Sequence, residues 1–262
     1  SAASDVYKRQ LLELGGEQQM ISLGERNEGY LAKVGEPLIQ FYGYKTCGVW
    51  NSAEEIAANP HFSDDAPGGI RIVDTNNDGS LTPEDRVALG TPYPDFTWGI
   101  TNTFQIKDFD ISFLIQGVQG ITVLNGDVYY NETKKWNKKY TKNRWVSAEH
   151  PGDGKTPYQN VKTGHDLMLT DYPLQNASYA CLRNFTVGYT LPATAARKIK
   201  LSGVRFYVSG SNLLYIWGSG YKGINPESRM TSGNYSSTMI SGYQRGGFPL
   251  TSTISAGFDI NF

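Results

Sequence analysis

With 262 residues, 24 basic against 25 acidic side chains and a formal net charge of −1, the chain can bury a sizeable core. It carries no overall field that would favour nucleic acid or an acidic membrane surface. No apolar run approaches the roughly 18 residues of a spanning helix, so a membrane role would have to use strands, whose polar faces dilute the hydropathy.

Aromatic residues at 13%, with 17 Tyr and 29 Gly, fit an all-β protein with many turns. The leader SAASDVYKRQ (1–10) begins on Ser and shows neither an apolar signal core nor a strand pattern. It resembles a junction scar, and the folded unit is expected over 11–262. Between Met20 and Trp50 the pattern predicts strands broken by turns, PLIQFYGYKTCGVW being the clearest. In NSAEEIAANP, Ser52 and Glu55 have capping-box spacing and Pro60 ends a short helix. GGIRIV then predicts a short strand running into an acidic loop.

That loop, DTNNDGSLTPED (74–85), is the one constellation with metal chemistry in it. Asp74, Asn76, Asp78, Ser80 and Asp85 fall at the first, third, fifth, seventh and twelfth places of an EF-hand loop, with Gly79 at the sharp turn. Ser80 would contribute its backbone carbonyl, and Thr82-Pro83 would cap and open a short exit helix. The expected cation is a structural Ca2+. Two departures stand beside this: Asp rather than Glu at the twelfth place, and a strand rather than a helix at the entry. An Asx-turn loop without metal is the alternative.

FTWGITNTFQIKDFDISFLIQ predicts a hairpin. Phe96, Trp98, Ile100, Phe104 and Ile106 share one face, and Thr97, Gly99, Thr101, Thr103 and Gln105 share the other. A turn at Lys107-Asp108 would pair Ile106 with Phe109 and continue the apolar face through Ile111, Phe113 and Ile115. Residues 121–177 show weak periodicity and many Asn, Lys, Gly and Pro. YACLRNFTVGYTLP and GVRFYVSGSNLLYI predict two more long strands, separated by a short connection around 192–202. A second long Gly/Ser/Tyr-rich segment fills 217–247, and STISAGFDINF alternates to the last residue.

Short turns alternating with long loops fit an outer-membrane barrel, with short periplasmic turns and long outer loops, better than a sandwich. The alternating apolar faces would then meet lipid.

Other chemistry is thin. His61, His150 and His165 lack metal spacing and a partner nucleophile motif. Cys47 and Cys181 form no disulfide framework and are expected as unrelated thiols. KKWNKKYTKNRW (134–145) reads as a solvated loop rather than a nucleic-acid patch. Trp136, Tyr140, Trp145, Tyr221 and Tyr243 are loop aromatics that could stack on sugar rings. No catalytic set is visible, and no enzyme is expected.

Several segments in one order carry a resemblance: VGEPLIQFYGYKTCGVW, GGIRIVDTNNDGSLTPEDRVALGTPYPDFTWGI, FDISFLIQGVQG, NRWVSAEHPGDGKTPY, LRNFTVGYTLP and VRFYVSGSNLL. From about residue 20 to Phe262 the chain resembles the C-terminal part of SusC/RagA-type TonB-linked outer-membrane transporters of Bacteroidetes. The resemblance implies a barrel of about 22 strands, of which this chain would supply roughly the last seven. It also implies an outer-membrane location, a SusD-like lipoprotein lid and contact with the TonB complex through parts outside this chain. Import of oligosaccharides or peptides would be the activity. A secreted, calcium-stabilised glycan-binding or adhesin module is the alternative, and it would pack its apolar faces inward.

Overall fold

The computed structural model describes residues 2–6, 10–24, 27–128, 142–158, 167–218, 220–228, 241–245 and 247–261. Trp136, Tyr140, His165, Phe262 and most of the basic run lie outside them.

The chain is all-β. β1 (Ala2–Val6) leads into a first excursion with β2 (Gln19–Leu23), β3 (Gly29–Lys33), β4 (Gln40–Gly43), β5 (Thr46–Val49), α1 (Ala53–Ala57), β6 (Ile70–Ile72) and β7 (Val87–Gly90). The hairpin β8 (Phe96–Ile106) and β9 (Phe109–Gln119) follows, then a second excursion with β10 (Thr122–Asn125) and β11 (Leu174–Asn176). β12 (Tyr179–Thr190), α2 (Ala193–Lys198) and β13 (Gly203–Trp217) come next. A third excursion holding β14 (Tyr243–Gln244) leads to β15 (Thr253–Asn261).

One sheet, in the order β1-β8-β9-β12-β13-β15, forms an antiparallel wall. Against roughly seven expected strands, the described residues supply five long ones and the short β1. β1 is a strand that no alternation announced. It pairs Ala2 to Ile100 and Val6 to Phe96, because an open sheet edge offers backbone donors and acceptors to any extended segment.

The hairpin has the register its alternation predicts, Ile106 opposite Phe109, with Lys107 of the turn at φ 55. A positive φ at that place suits the twist of a tight hairpin. Both short connections, 107–108 and 191–202, leave one end of the wall; all three excursions leave the other.

The wall has two unlike faces. Apolar rows run straight across it: Phe104, Ile111, Val187, Val208 and Ala256; then Ile106, Phe109, Tyr189, Phe206 and Phe258. Phe104, Ile106, Phe109, Phe206 and Val208 of these rows are exposed, as are Phe258 at 64% and, on the same face, Ile254 at 74%. A sandwich would have covered them. Trp98 lies across Gly117 on this face, filling the space a Cβ there would take.

The buried core sits instead among the excursions. Tyr30, Ile39 and Phe41 of the first pack with Leu124 and Met168 of the second and Tyr243 of the third. A second cluster joins Tyr44, Ile70, Ile72 and Leu169. Backbone bonds tie the same pieces, as where Tyr44 N–H donates to Leu169 O at 2.8 Å. Local signals hold as well: Ser52 Oγ accepts from Glu55 N–H at 3.2 Å and starts α1. The Glu55 carboxylate reaches one residue further than the capping box implies, to Asn51 N–H at 2.8 Å.

Candidate functional site

The acidic loop folds around its own backbone. Asp74 accepts from Asn77 N–H (2.7 Å) and Gly79 N–H (2.9 Å). Asn76 accepts from Asp78 N–H (3.0 Å), and Asp78 from Ser80 N–H (2.8 Å). Asn77 and Gly79 take φ of 58 and 85, the left-handed turn the sixth place of such a loop needs. Asn76 and Asp78 touch side chain to side chain at 3.0 Å.

Asp85 does something else. It is fully buried, and its carboxylate accepts from Thr75 N–H and Thr82 N–H, both at 2.8 Å. With Thr82 Oγ1 accepting from Glu84 N–H, it caps the short 3-10 helix Pro83–Asp85. Burial alone would push the Asp85 carboxyl up, but the N–H donors of Thr82, Thr75 and Asn76 outweigh it and hold it below the usual carboxylate range.

The donor set fits a hard cation in part. Asp74, Asn76 and Asp78 are oxygen donors on the open side of the loop, and each engaged oxygen keeps a further lone pair. The structure brings these three near one another and sets Asp85 apart as the clamp joining the loop's ends. Among the described residues no three His, Cys, Asp or Glu side chains form a metal cluster.

The second constellation is the wall's polar face. Thr103, Ser112, Thr186, Ser209 and Ser255 stand in one row across five strands. Nearer the short turns, Arg205 holds Asp110 by two bonds, Nη2–Oδ2 at 2.6 Å and Nε–Oδ1 at 3.0 Å. It also reaches Asp259 at 3.5 Å. Towards the other end Arg183, Tyr215 and Glu227 meet, a group that the sequence reading missed. The sequence showed only a break in alternation there: Leu182 and Phe185 are three apart, and the structure puts both on one face across a bulge.

The candidate aromatics divide. Tyr221 and Tyr243 are buried core side chains rather than exposed loop aromatics. Trp145 is half-buried, edge-on to Tyr158 and bonded through Nε1 to Asn51 at 3.0 Å. A cleft of about 630 Å3 opens between Cys47 and Thr46 of β5, the 153–156 turn, Tyr172 and Lys222. Cys47 is exposed and Cys181 buried, both as free thiols. Partial loss of hydration among its neighbours pushes the Cys47 thiol up, against the pull of Arg71.

A twisted antiparallel wall with an apolar bare face, a polar face, and turns and excursions segregated to opposite ends has the architecture of a transmembrane β-barrel segment. No family model matches the chain. It is 30% identical over 97% of its length to TonB-dependent receptor P26 of Formosa agariphila, covering 26% of that protein. Against TonB-dependent receptor SusC of Bacteroides thetaiotaomicron it is 26% identical, over 73% of this chain and 17% of the relative. The solved structure of the RagAB peptide transporter superposes with a TM-score of 0.68 at 19% identity, over 95% of this chain and 25% of that one. The RagAB importer in its open-open state gives 0.67 at 16% identity, over all of this chain and 28% of that one. The sequence is thus homologous, along nearly its whole length, to TonB-dependent receptors of the SusC/RagA type, and spans about a quarter of their length. Its named relatives are receptors rather than enzymes.

Proposed function

We propose that this chain is the C-terminal part of the barrel of a TonB-dependent outer-membrane transporter that imports oligosaccharides or peptides together with a SusD-like lipoprotein. The observation that carries the reading is the inverted packing. Apolar rows lie exposed on one face of the wall, while the buried core lies among the excursions and where they meet the wall's other face at Val118, Tyr179 and Cys181. A contiguous apolar face of this kind marks contact with a partner or a membrane, and hydrocarbon is the solvent that suits it. The polar face then lines the lumen, and the excursions stand outside, where ligand and lid arrive. Contact with TonB belongs to parts of the transporter beyond this chain.

The loop at 74–85 is proposed to hold Ca2+ through Asp74, Asn76, Asp78 and the Ser80 carbonyl, with Asp85 fixing the loop around it. When bound, the cation would cross-link the loop; the chain's own residues already fold it.

The test is expression of the complete transporter in its bacterial host. It should fractionate with the outer membrane and co-purify with a lipoprotein, and its deletion should abolish growth on one oligosaccharide or peptide of a panel. Recovery in the soluble fraction would overturn the reading.

A further inference from the structure

After β13 ends at Trp217 the chain turns back, and residues 220–228 lie against the wall's polar face at its excursion end. Tyr221 is buried there with Val118, Val123, Tyr179 and Cys181. Its hydroxyl donates to Gln244 Oε1 at 2.8 Å, and Lys222 N–H donates to Gln175 Oε1 at 2.9 Å.

Further along, Asn225 Nδ2 donates to Phe248 O at 3.2 Å and Gln244 Nε2 to Ser228 O at 2.5 Å, and a last attachment is electrostatic. Arg183 stands where β12 slips register against both neighbours, between Leu182 and Asn184, and a bulge re-aims a side chain. Its guanidinium meets Glu227 at 2.7 and 3.4 Å, and also donates to Tyr215 Oη and Asn212 Oδ1, both at 2.9 Å, and to Gln116 Oε1 at 3.2 Å. The Tyr215 hydroxyl in turn donates to Glu227 Oε1 at 2.9 Å. A half-buried, two-pronged arginine–carboxylate pair with a third donor is far stronger than an exposed ion pair. Between β13 and this attachment stand Gly218 and Gly220, around which a Cβ would meet open space, and glycine's wide range of backbone angles suits them to a hinge.

We infer that residues 220–228 are a strap folded into the outer opening of the barrel, and that Arg183–Glu227 is its clasp. Fastened, the strap covers the polar face over Cys181 and narrows the passage. Released, it swings from the glycines and uncovers that wall. This inference rests on reading the polar face as a transporter lumen.

Cys181 is a built-in reporter, since it is 1% exposed and packs in the same cluster as Tyr221. In the complete transporter carrying Cys47→Ser, labelling by a sulfonated maleimide is followed by mass spectrometry of the Cys181 peptide, on cells and on purified protein. Wild-type Cys181 should be protected. Glu227→Gln, which keeps the shape of the side chain, should speed labelling about tenfold, as should Arg183→Gln, and the charge swap R183E/E227R should slow it again. Hydrogen exchange should rise across 221–228 in the single variants and stay unchanged at 185–190.

Wild-type labelling at the rate of denatured protein would overturn the strap. So would single variants that label no faster, or that loosen strap and wall alike. Absence of the wild-type protein from the outer membrane would instead overturn the transporter reading, while Cys181 protection in the purified protein would still report on the strap.

Discussion

Arg205 and Asp110 lie on strands that are not neighbours and meet across Gly188 of the strand between them. A Cβ at Gly188 would collide with the Asp110 carboxylate and the Arg205 guanidinium. The glycine is therefore a gap that lets an ion pair span three strands on the polar face.

Gly188→Val should separate that pair and strand two half-buried charges, at a cost of about 1–3 kcal/mol. Melting of the heat-modifiable barrel on gels reads it: the variant should unfold at lower temperature than wild type. Arg205→Lys, which loses the two-pronged geometry but keeps the charge, should fall between them. Equal melting of Gly188→Val and wild type would mean that the ion pair contributes nothing to the wall.

Facing follows next. Ile111 lies in the middle of the bare apolar rows and Ser112, its neighbour, in the hydroxyl row. Ile111→Lys should cost about 2–4 kcal/mol in a bilayer and reduce assembled protein. Ser112→Asn on the polar face should assemble normally. Ile100→Lys should behave as Ile111→Lys does. Normal assembly of both lysine variants would mean that this face meets water or protein.

These two faces were legible in the sequence because a strand's period of two survives wherever one face is solvated uniformly. The hairpin register at Ile106 and Phe109 followed from alternation and a tight turn alone, and Ser52 and Thr82 announced their helices by capping chemistry. What stayed hidden is non-local or breaks the period. The partners Asp110 and Arg205 are 95 residues apart, and Arg183 and Glu227 are 44 apart. The bulge before Phe185 removes the phase that would have placed Arg183. Tyr221 and Tyr243 resembled ligand-stacking aromatics because loop composition does not tell that excursions bury a core. β1 gave no pattern because backbone pairing to an open edge asks little of its side chains.

Acid should release the clamp in the 74–85 loop. The folded Asp85 carboxyl lies below its unfolded value near pH 4. Its contribution is therefore complete above that value and is lost as pH falls through the folded one. Amide exchange at Thr75 and Thr82 should be slow at pH 7, after correction for intrinsic rates, and should approach that of Asp85→Asn only below about pH 4. Asp85→Asn should be loosened at every pH, by about 1–3 kcal/mol, since an amide replaces an acceptor-only group among buried N–H donors. A wild-type loop that stays equally protected once its Asp85 carboxyl is seen by NMR to be protonated would show that the N–H bonds do not depend on the charge.

Calcium separates the clamp from the ligands. Asp78 is exposed, and its carboxylate bonds only within the loop, to Ser80 N–H and the Asn76 amide. Asp78→Ala should thus spare the clamp and remove a cation ligand. Extracellular calcium modules in general bind with a Kd of about 10⁻⁴–10⁻³ M, which sets the range for testing the proposed site. At millimolar Ca2+ the wild-type loop should resist protease better than in chelator, and Asp78→Ala should cut at the chelator rate in both. Asp85→Asn should cut faster in both conditions yet keep part of the calcium response, since the open-side oxygens remain. If the wild type is cut equally fast with and without Ca2+, the loop is an Asx turn closed by Asp85 alone, and the spacing that resembles an EF-hand reports only how such a turn is built.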